Sequence, residues 1–277
     1  MAPATAEAPP LAPPLDEGAT PLPGYEVIAH LSRGRALDVY DAWSYERDCR
    51  CVLKLVRPDR RGHRSTRRRL LQEGRLAATL RHPHLVAGYE VLERPQPAAV
   101  LETLDGETLA HLIARRRRRR LAAADLAHLG MQLCSAMHYL HAEGFLHIDL
   151  KPSNVIADRG QAKVIDLSLA RRPGRATRGV GTRAYMAPEQ ARGGLLTAAT
   201  DVWGIGAVLH EAASGSPPFD PRANGVRYPQ LKGRAVPLSS LRRLPRSLAQ
   251  ALDACLEPDP AGRPAVGELS EALDPFG

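Results

Sequence analysis

The sequence predicts an α+β protein with an antiparallel sheet near its start and helices after it, and three observations carry that expectation. From Gly24 the chain alternates with period two through Tyr25, Val27 and Ala29, then Val39 and Tyr40, then Val52-Leu53-Lys54-Leu55-Val56, which sets every second side chain on one face of a strand. Leu70 to Leu80, and Leu126, Leu129, Leu133, Met137 and Leu140, instead follow helical spacing. Val155-Ile156-Ala157 and Ala162-Lys163-Val164-Ile165 flank Asp158-Arg159-Gly160-Gln161, a short hairpin around a turn.

The elements follow in order. Residues 1–23 are rich in Ala and Pro and have neither a basic patch nor an apolar core, so they read as a disordered leader and not as a targeting segment. Three strands come next, then the helix over Leu70–Leu80, which ends before Arg81-His82-Pro83. Leu85 to Leu92 and Ala98 to Leu101 complete a five-stranded sheet. Asp125 is placed to cap the helix of the Leu126–Leu140 stripe, with Gly144 past its end. The chain has 277 residues, 44% of them hydrophobic, enough for one large domain or two lobes with ordinary cores.

Charge and cysteine usage narrow the function classes. The net charge of +8 is local, in Arg57, Arg60, Arg61, Arg64, Arg67, Arg68 and Arg69 and in the run Arg115 to Arg120. Both clusters read as solvated segments between elements. They lack interleaved aromatics and any nucleic-acid motif, so nucleic acid is disfavoured, while an acidic partner surface would complement them. Cys49, Cys51, Cys134 and Cys255 include one C-x-C pair but no second pair at ligand spacing. They read as buried thiols of a reduced, cytoplasmic protein. No apolar stretch approaches the ~20 residues of a membrane span.

The chemistry gathers between Leu146 and Ser168. Asn154 and Asp166 sit at the outer ends of the predicted hairpin, where they could share one hard cation. Asp149 precedes the hairpin, in reach of a hydroxyl proton, and Lys151 can neutralise a transferring phosphoryl group. The run His147-Ile148-Asp149-Leu150-Lys151-Pro152-Ser153-Asn154, followed by Asp166-Leu167-Ser168, resembles the H-R-D-x-K-x-x-N and D-F-G segments of the eukaryotic-type protein kinases. Ile148 stands where that family usually has Arg, and Leu167-Ser168 where it has Phe-Gly.

The resemblance extends from about Tyr25 to Leu273 and implies a bilobal kinase fold. That fold would have a five-stranded antiparallel N-lobe with one main helix and its hinge over 24–104, and a mostly helical C-lobe over 105–277. It implies that Lys54, in Cys51-Val52-Leu53-Lys54, pairs with Glu73 and faces the α and β phosphates of ATP. Leu31 to Val39 takes the place of the glycine loop, with Gly34 and Val39 matching and Ser32 and Leu37 replacing the outer glycines. Leu37 is expected to add bulk near the phosphates. Leu31, Val39, Val52, Leu101, Ile156 and Ile165 would wall the adenine pocket, with Leu101 as gatekeeper and backbone groups of Glu102 and Leu104 on the adenine edge. Asp149 would be the catalytic base, Lys151 its partner, and Asn154 and Asp166 the ligands of Mg2+ or Mn2+. Ala187-Pro188-Glu189 is similar to the A-P-E segment, Asp201 would tie down the catalytic loop, and Arg263 would pair with Glu189.

The function implied is a serine/threonine protein kinase acting on protein substrates, with Lys151 favouring Ser/Thr over Tyr. The rival is a pseudokinase scaffold, motivated by the eroded glycine loop and by Leu167-Ser168. Retention of Lys54, Glu73, Asp149, Lys151, Asn154 and Asp166 weighs against it. Ile148 cannot neutralise a phosphate on the activation segment, so activity is expected to be largely independent of Thr177. By the same resemblance, Thr182 serves as a hydroxyl near Asp149 and Lys151. Oligomeric state leaves no mark on the sequence.

Overall fold

The structure is a computed structural model describing residues 12–116, 120–220 and 225–277. The chain divides into two compact units, the described part of Met1–Thr79 with Ala87–Thr103, and Leu80–Val86 with Leu104–Gly277. Leu80–Val86 joins the second unit although it lies within the sequence range of the first. That segment is held there by its backbone: Val164 N donates to His84 O (2.9 Å), and Val86 N donates to Val164 O (3.0 Å).

In the first unit, strands β1 (Tyr25–Arg33), β2 (Leu37–Ser44), β3 (Cys49–Val56), β4 (Gly88–Leu92) and β5 (Ala98–Glu102) form one antiparallel sheet in the order β1-β2-β3-β5-β4. Helix α1 (Arg64–Thr79) packs on β4 and β5. Alternation sorts the faces. Leu53 and Leu55, opposite Val100 and Ala98, join Tyr25, Val27, Tyr40, Ala42 and Cys51 in one core. Lys54 lies opposite Ala99, and Val56 and Ala99 pack with Leu70 of α1.

Residues 12–23 depart from the expectation of a disordered leader, while residues 1–11 lie outside the described residues. Gly18 N donates to Val27 O (2.9 Å) and Val27 N donates to Ala19 O (2.8 Å), so the segment satisfies part of an edge strand. Leu15 N donates to Tyr40 Oη (3.1 Å) and Arg33 Nη1 to Ala12 O (2.8 Å). Leu22, only 1% exposed, fills the core of the sheet's outer face. Composition conceals this because one leucine and a few backbone amides do the packing. Leu22→Ala should cost about 2–5 kcal/mol, the range for truncating a buried leucine. A chemical denaturation curve checks it.

Two further expectations change in this unit. Arg64, Arg67, Arg68 and Arg69 lie in the first turns of α1 and not in a connecting segment. Their side chains stay exposed, which suits a helix whose buried stripe begins only at Leu70. Leu37 packs against Val56, Leu70 and Ala99, so its bulk goes into the core beneath α1 and not toward bound phosphates. Cys49 is half-buried, whereas the other three free thiols are buried.

The second unit begins with β6 (Glu107–Thr108) and α2 (Leu109–Arg115), followed by α3 (Ala123–Ala142). Asp125 is not the cap residue of α3. It stands one turn in, and its Oδ2 accepts from Ala122 N (3.3 Å), the reach-back of an acidic third residue to a cap amide. The hairpin is β7 (Val155–Asp158) and β8 (Gln161–Val164), in register from Val155 opposite Val164 to Asp158 opposite Gln161. There follow β9 (Gly174–Arg175), α4 (Pro188–Arg192), β10 (Leu195–Leu196), α5 (Ala198–Ser214), α6 (Leu238–Leu241), α7 (Arg246–Ala254) and α8 (Val266–Leu273). Helix α5 is buried along nearly its whole length and packs on α3. At Gly204 a Cβ would meet Leu150 Cβ at 2.9 Å, so a glycine there admits the loop before the hairpin against α5.

Candidate active site

The loop Leu146–Asn154 is fixed by its backbone before any side chain acts. Leu146 exchanges two backbone bonds with Arg171, at 2.7 and 3.0 Å. Asp201 at the start of α5 accepts from His147 N (2.8 Å) and Ile148 N (2.7 Å), while His141 Nε2 lies 2.8 Å from its Oδ2. Ile148 has φ of 59°, a strained value for a β-branched residue that surrounding contacts must hold. Those contacts are Asp201 on its N–H and Gln190 Nε2 on its carbonyl, at 2.7 Å. Its side chain joins Leu146 and Leu196 in an apolar cluster that Leu169, Ala176 and Val180 pack against. His147 is fully buried, and its Nδ1 accepts from Asp149 N (3.3 Å).

The reactive groups follow on this frame. Asp149 is buried, and its Oδ2 accepts from Lys151 Nζ (2.9 Å). Its Oδ1 is also buried and has no hydrogen-bond partner among the described residues. A buried carboxylate oxygen without a donor is costly, so the position suits a hydroxyl that arrives with its own proton. Lys151 Nζ also donates to Thr182 Oγ1 (3.0 Å), which ties the segment after Asp166 to the loop. Asn154 Nδ2 donates to Asp149 O (3.0 Å), and Ile165 N donates to Asn154 O (2.8 Å). Asp166 is therefore set next to the hairpin's closing pair. It has φ of 70°, and its Oδ1 accepts from Ser168 N (3.2 Å).

Among the described residues no group of three or more His, Cys, Asp or Glu is placed to hold a metal ion. Asn154 and Asp166 together supply hard oxygen donors. A small divalent cation typically takes one or two protein oxygens and completes its shell with phosphate oxygens and water, so this donor pair fits such a cation bound together with a nucleotide.

The first unit brings Lys54 and Glu73 together as an ion pair, with Glu73 0% exposed. Gly74 makes the approach possible, since a Cβ there would meet Val91 Cγ2 at 2.7 Å. Of the other expected residues in this unit, Leu31 is 55% exposed, Leu101 is buried, and Gly34 is exposed at the β1–β2 turn. Val39 and Val52 are half-buried. Glu102 N donates to Ala87 O (2.9 Å), so that amide is engaged within the first unit. In the second unit Leu104, Ile156 and Ile165 are half-buried.

Sequence reasoning did not single out Gln190, His141 or Gln132. Gln190 Nε2 bonds both Ile148 O and Val180 O (2.9 Å), and its Oε1 accepts from Ala187 N (2.8 Å). Gln132 braces the hairpin through Gly160 O (2.7 Å) and Ala162 N (2.6 Å). A polar residue inside an apolar helical stripe is the signal that could have exposed Gln132, but nothing in the local pattern marks the other two.

The protein kinase domain family matches residues 25–273. A probable serine/threonine-protein kinase of Streptomyces coelicolor is 30% identical over 87% of this chain and 41% of its own length. Serine/threonine-protein kinase PknB of Mycolicibacterium smegmatis is 33% identical over 70% of this chain and 33% of its own. The chain thus spans about two-fifths or less of these relatives. The crystal structure of the Mycobacterium tuberculosis PknI kinase domain superposes with a TM-score of 0.75 at 24% identity, covering 95% of this chain and 100% of that one. It shares the fold.

Proposed function

We propose, since this chain belongs to the protein kinase domain family, that it is a serine/threonine protein kinase transferring the γ-phosphoryl group of ATP to hydroxyls of protein substrates. The observation that carries the reading is Asp149, buried, with one oxygen on Lys151 and the other without a hydrogen-bond partner among the described residues. An acceptor hydroxyl hydrogen-bonds to Oδ1 and passes it a proton as the oxygen–phosphorus bond forms and the bond to the β-phosphate oxygen breaks. Lys151 faces the charge that builds on the transferring group. Lys54, oriented by Glu73, neutralises the α and β phosphates. Asn154 and Asp166 would hold Mg2+ or Mn2+, which supplies charge neutralisation across the phosphates when bound.

The test is incubation of purified protein with labelled ATP and either metal beside an Asp149→Asn control. Transfer by the wild type alone supports the reading. ATP binding without transfer to itself or to any protein acceptor overturns it.

Four free thiols support placement in the reducing cytoplasm, and no helix among the described residues is long and apolar enough to cross a membrane. Control follows from Ile148. Apolar packing with Leu196, Ala176 and Val180 holds the segment that elsewhere would need a phosphate, which carries about −1.5 to −2 charges, paired with an arginine. Thr177 is exposed, whereas Thr182 bonds Lys151. Thr177→Ala should retain most activity toward an added substrate. Thr182→Ala should lose most of it and Thr182→Ser should recover it. Strong activation on phosphorylation of Thr177 alone would refute this account.

A further inference from the structure

The segment that frames Asp149 is cationic without compensation. Between Leu167 and Pro188 the chain has five arginines, Arg171, Arg172, Arg175, Arg178 and Arg183, and no Asp or Glu. None of the five has a carboxylate partner among the described residues. Arg171 donates instead to Arg175 O (2.8 Å), Arg178 donates to Ala191 O (3.3 Å), and Arg172 stands over the Phe145 ring at 5.4 Å. Arg227, distant in sequence, is brought to the same place. Its guanidinium and that of Arg178 each stand 5.4 Å from the centroid of one ring, the buried Tyr228. Both guanidiniums lie within cation–π range of that ring, which gathers two positive charges around one side chain.

These cations are held in fixed relation to the reactive groups. Gly179 N donates to Gln190 O (2.8 Å), Gln190 Nε2 holds Val180 O (2.9 Å), and Thr182 bonds Lys151 (3.0 Å), which bonds Asp149 (2.9 Å). Arg183 is fixed through its carbonyl, which accepts from Gln230 Nε2 at 3.3 Å. The backbone on both sides of Thr182 is therefore anchored, while the Arg178 and Arg183 guanidiniums remain exposed. Exposed guanidiniums on an anchored backbone present planar forks that recognise carboxylate or phosphate oxygens.

We propose that the protein acceptors are acidic, with carboxylate or phosphate side chains flanking the acceptor Ser or Thr and seated on Arg178, Arg227 and Arg183. This rests on the kinase reading and names its substrate class. The anion enters neither bond formation nor proton transfer, so its effect should appear mainly in KM and should weaken with salt.

The test compares peptides with one Ser, flanked by Asp, by Ala, by Lys, or by phosphoserine, using phosphatase-treated protein so that no phosphate on Thr177 occupies the arginines. We expect kcat/KM for the Asp peptide about tenfold or more above the Ala peptide, carried by KM, with the Lys peptide below both. The gap should narrow as ionic strength rises. In the double variant Arg178→Gln, Arg227→Gln, the Asp-to-Ala ratio should fall to within about threefold. A phosphoserine peptide well above the Asp peptide assigns the recognised anion to phosphate, and equal gains assign it to carboxylate. Equal kcat/KM for the Asp, Ala and Lys peptides overturns the proposal, as does an unchanged ratio in the double variant. Fluorescence anisotropy of a labelled Asp-flanked peptide on the Asp149→Asn protein separates the two readings. Salt-sensitive binding there, with no transfer by the wild type, removes the kinase reading and keeps the anion surface. Transfer without charge preference does the reverse.

Discussion

Asp149→Asn is expected to lower phosphoryl transfer by about 10²- to 10⁴-fold, the range that a positioned general base supplies, while the unfolding midpoint stays where it is. Asparagine keeps the shape of the side chain, so the loop bonds to Asp201, Asn154 and His147, which use backbone atoms of residues 147–149, persist. What is lost is an oxygen able to take a proton and the charge that faces Lys151. The loss should fall on kcat, with KM for ATP little changed, because the proton moves only in the transition state. Steady-state kinetics alongside a thermal melt separates the outcomes. A variant that keeps wild-type kcat would remove Asp149 from the base role, and one that unfolds with it would make the residue structural.

Much of this arrangement was legible in the sequence, and the rest was hidden for identifiable reasons. The period-two runs gave β1 to β3 because one face of each is buried, and the hairpin gave itself away through its polar turn. Lys54 and Glu73 were found by family spacing, and alternation explains the outcome, since even-numbered β3 positions face α1. The same alternation could have warned that Leu37, opposite Val56, turns inward. The ordered strap at 12–23 was missed because backbone bonds to Val27 and one buried leucine leave no pattern in composition. Gln190 and His141 act across some forty and sixty residues, and such contacts are invisible until the fold supplies them.

Arg263→Ala is expected to cost about 3–5 kcal/mol, the range for removing one partner of a buried ion pair. The Arg263 side chain is 0% exposed, and its Nη1 and Nη2 donate to the two oxygens of Glu189 at 2.8 and 2.9 Å. It also donates to Ala199 O and Glu257 O, each at 2.8 Å, and stands 5.0 Å from the Trp203 ring centroid. Alanine would leave Glu189 buried with Thr200 Oγ1, at 2.9 Å, as its remaining side-chain donor among the described residues, strand the carbonyls of Ala199, Glu257 and Pro258, and open a space beside Trp203. Lysine should not rescue it, because one ammonium cannot replace a planar fork that bonds five acceptors. The double variant Arg263→Met, Glu189→Leu should recover a good part of the loss, since no charge is then left unpaired. Activity should fall with stability, because the residue after Glu189 in α4 is Gln190, which holds Ile148 O and Val180 O. Denaturant titration of the two single variants and the double variant decides the matter. An Arg263→Ala loss below about 1 kcal/mol, in the range of exposed pairs, would show that the pair carries little of the fold.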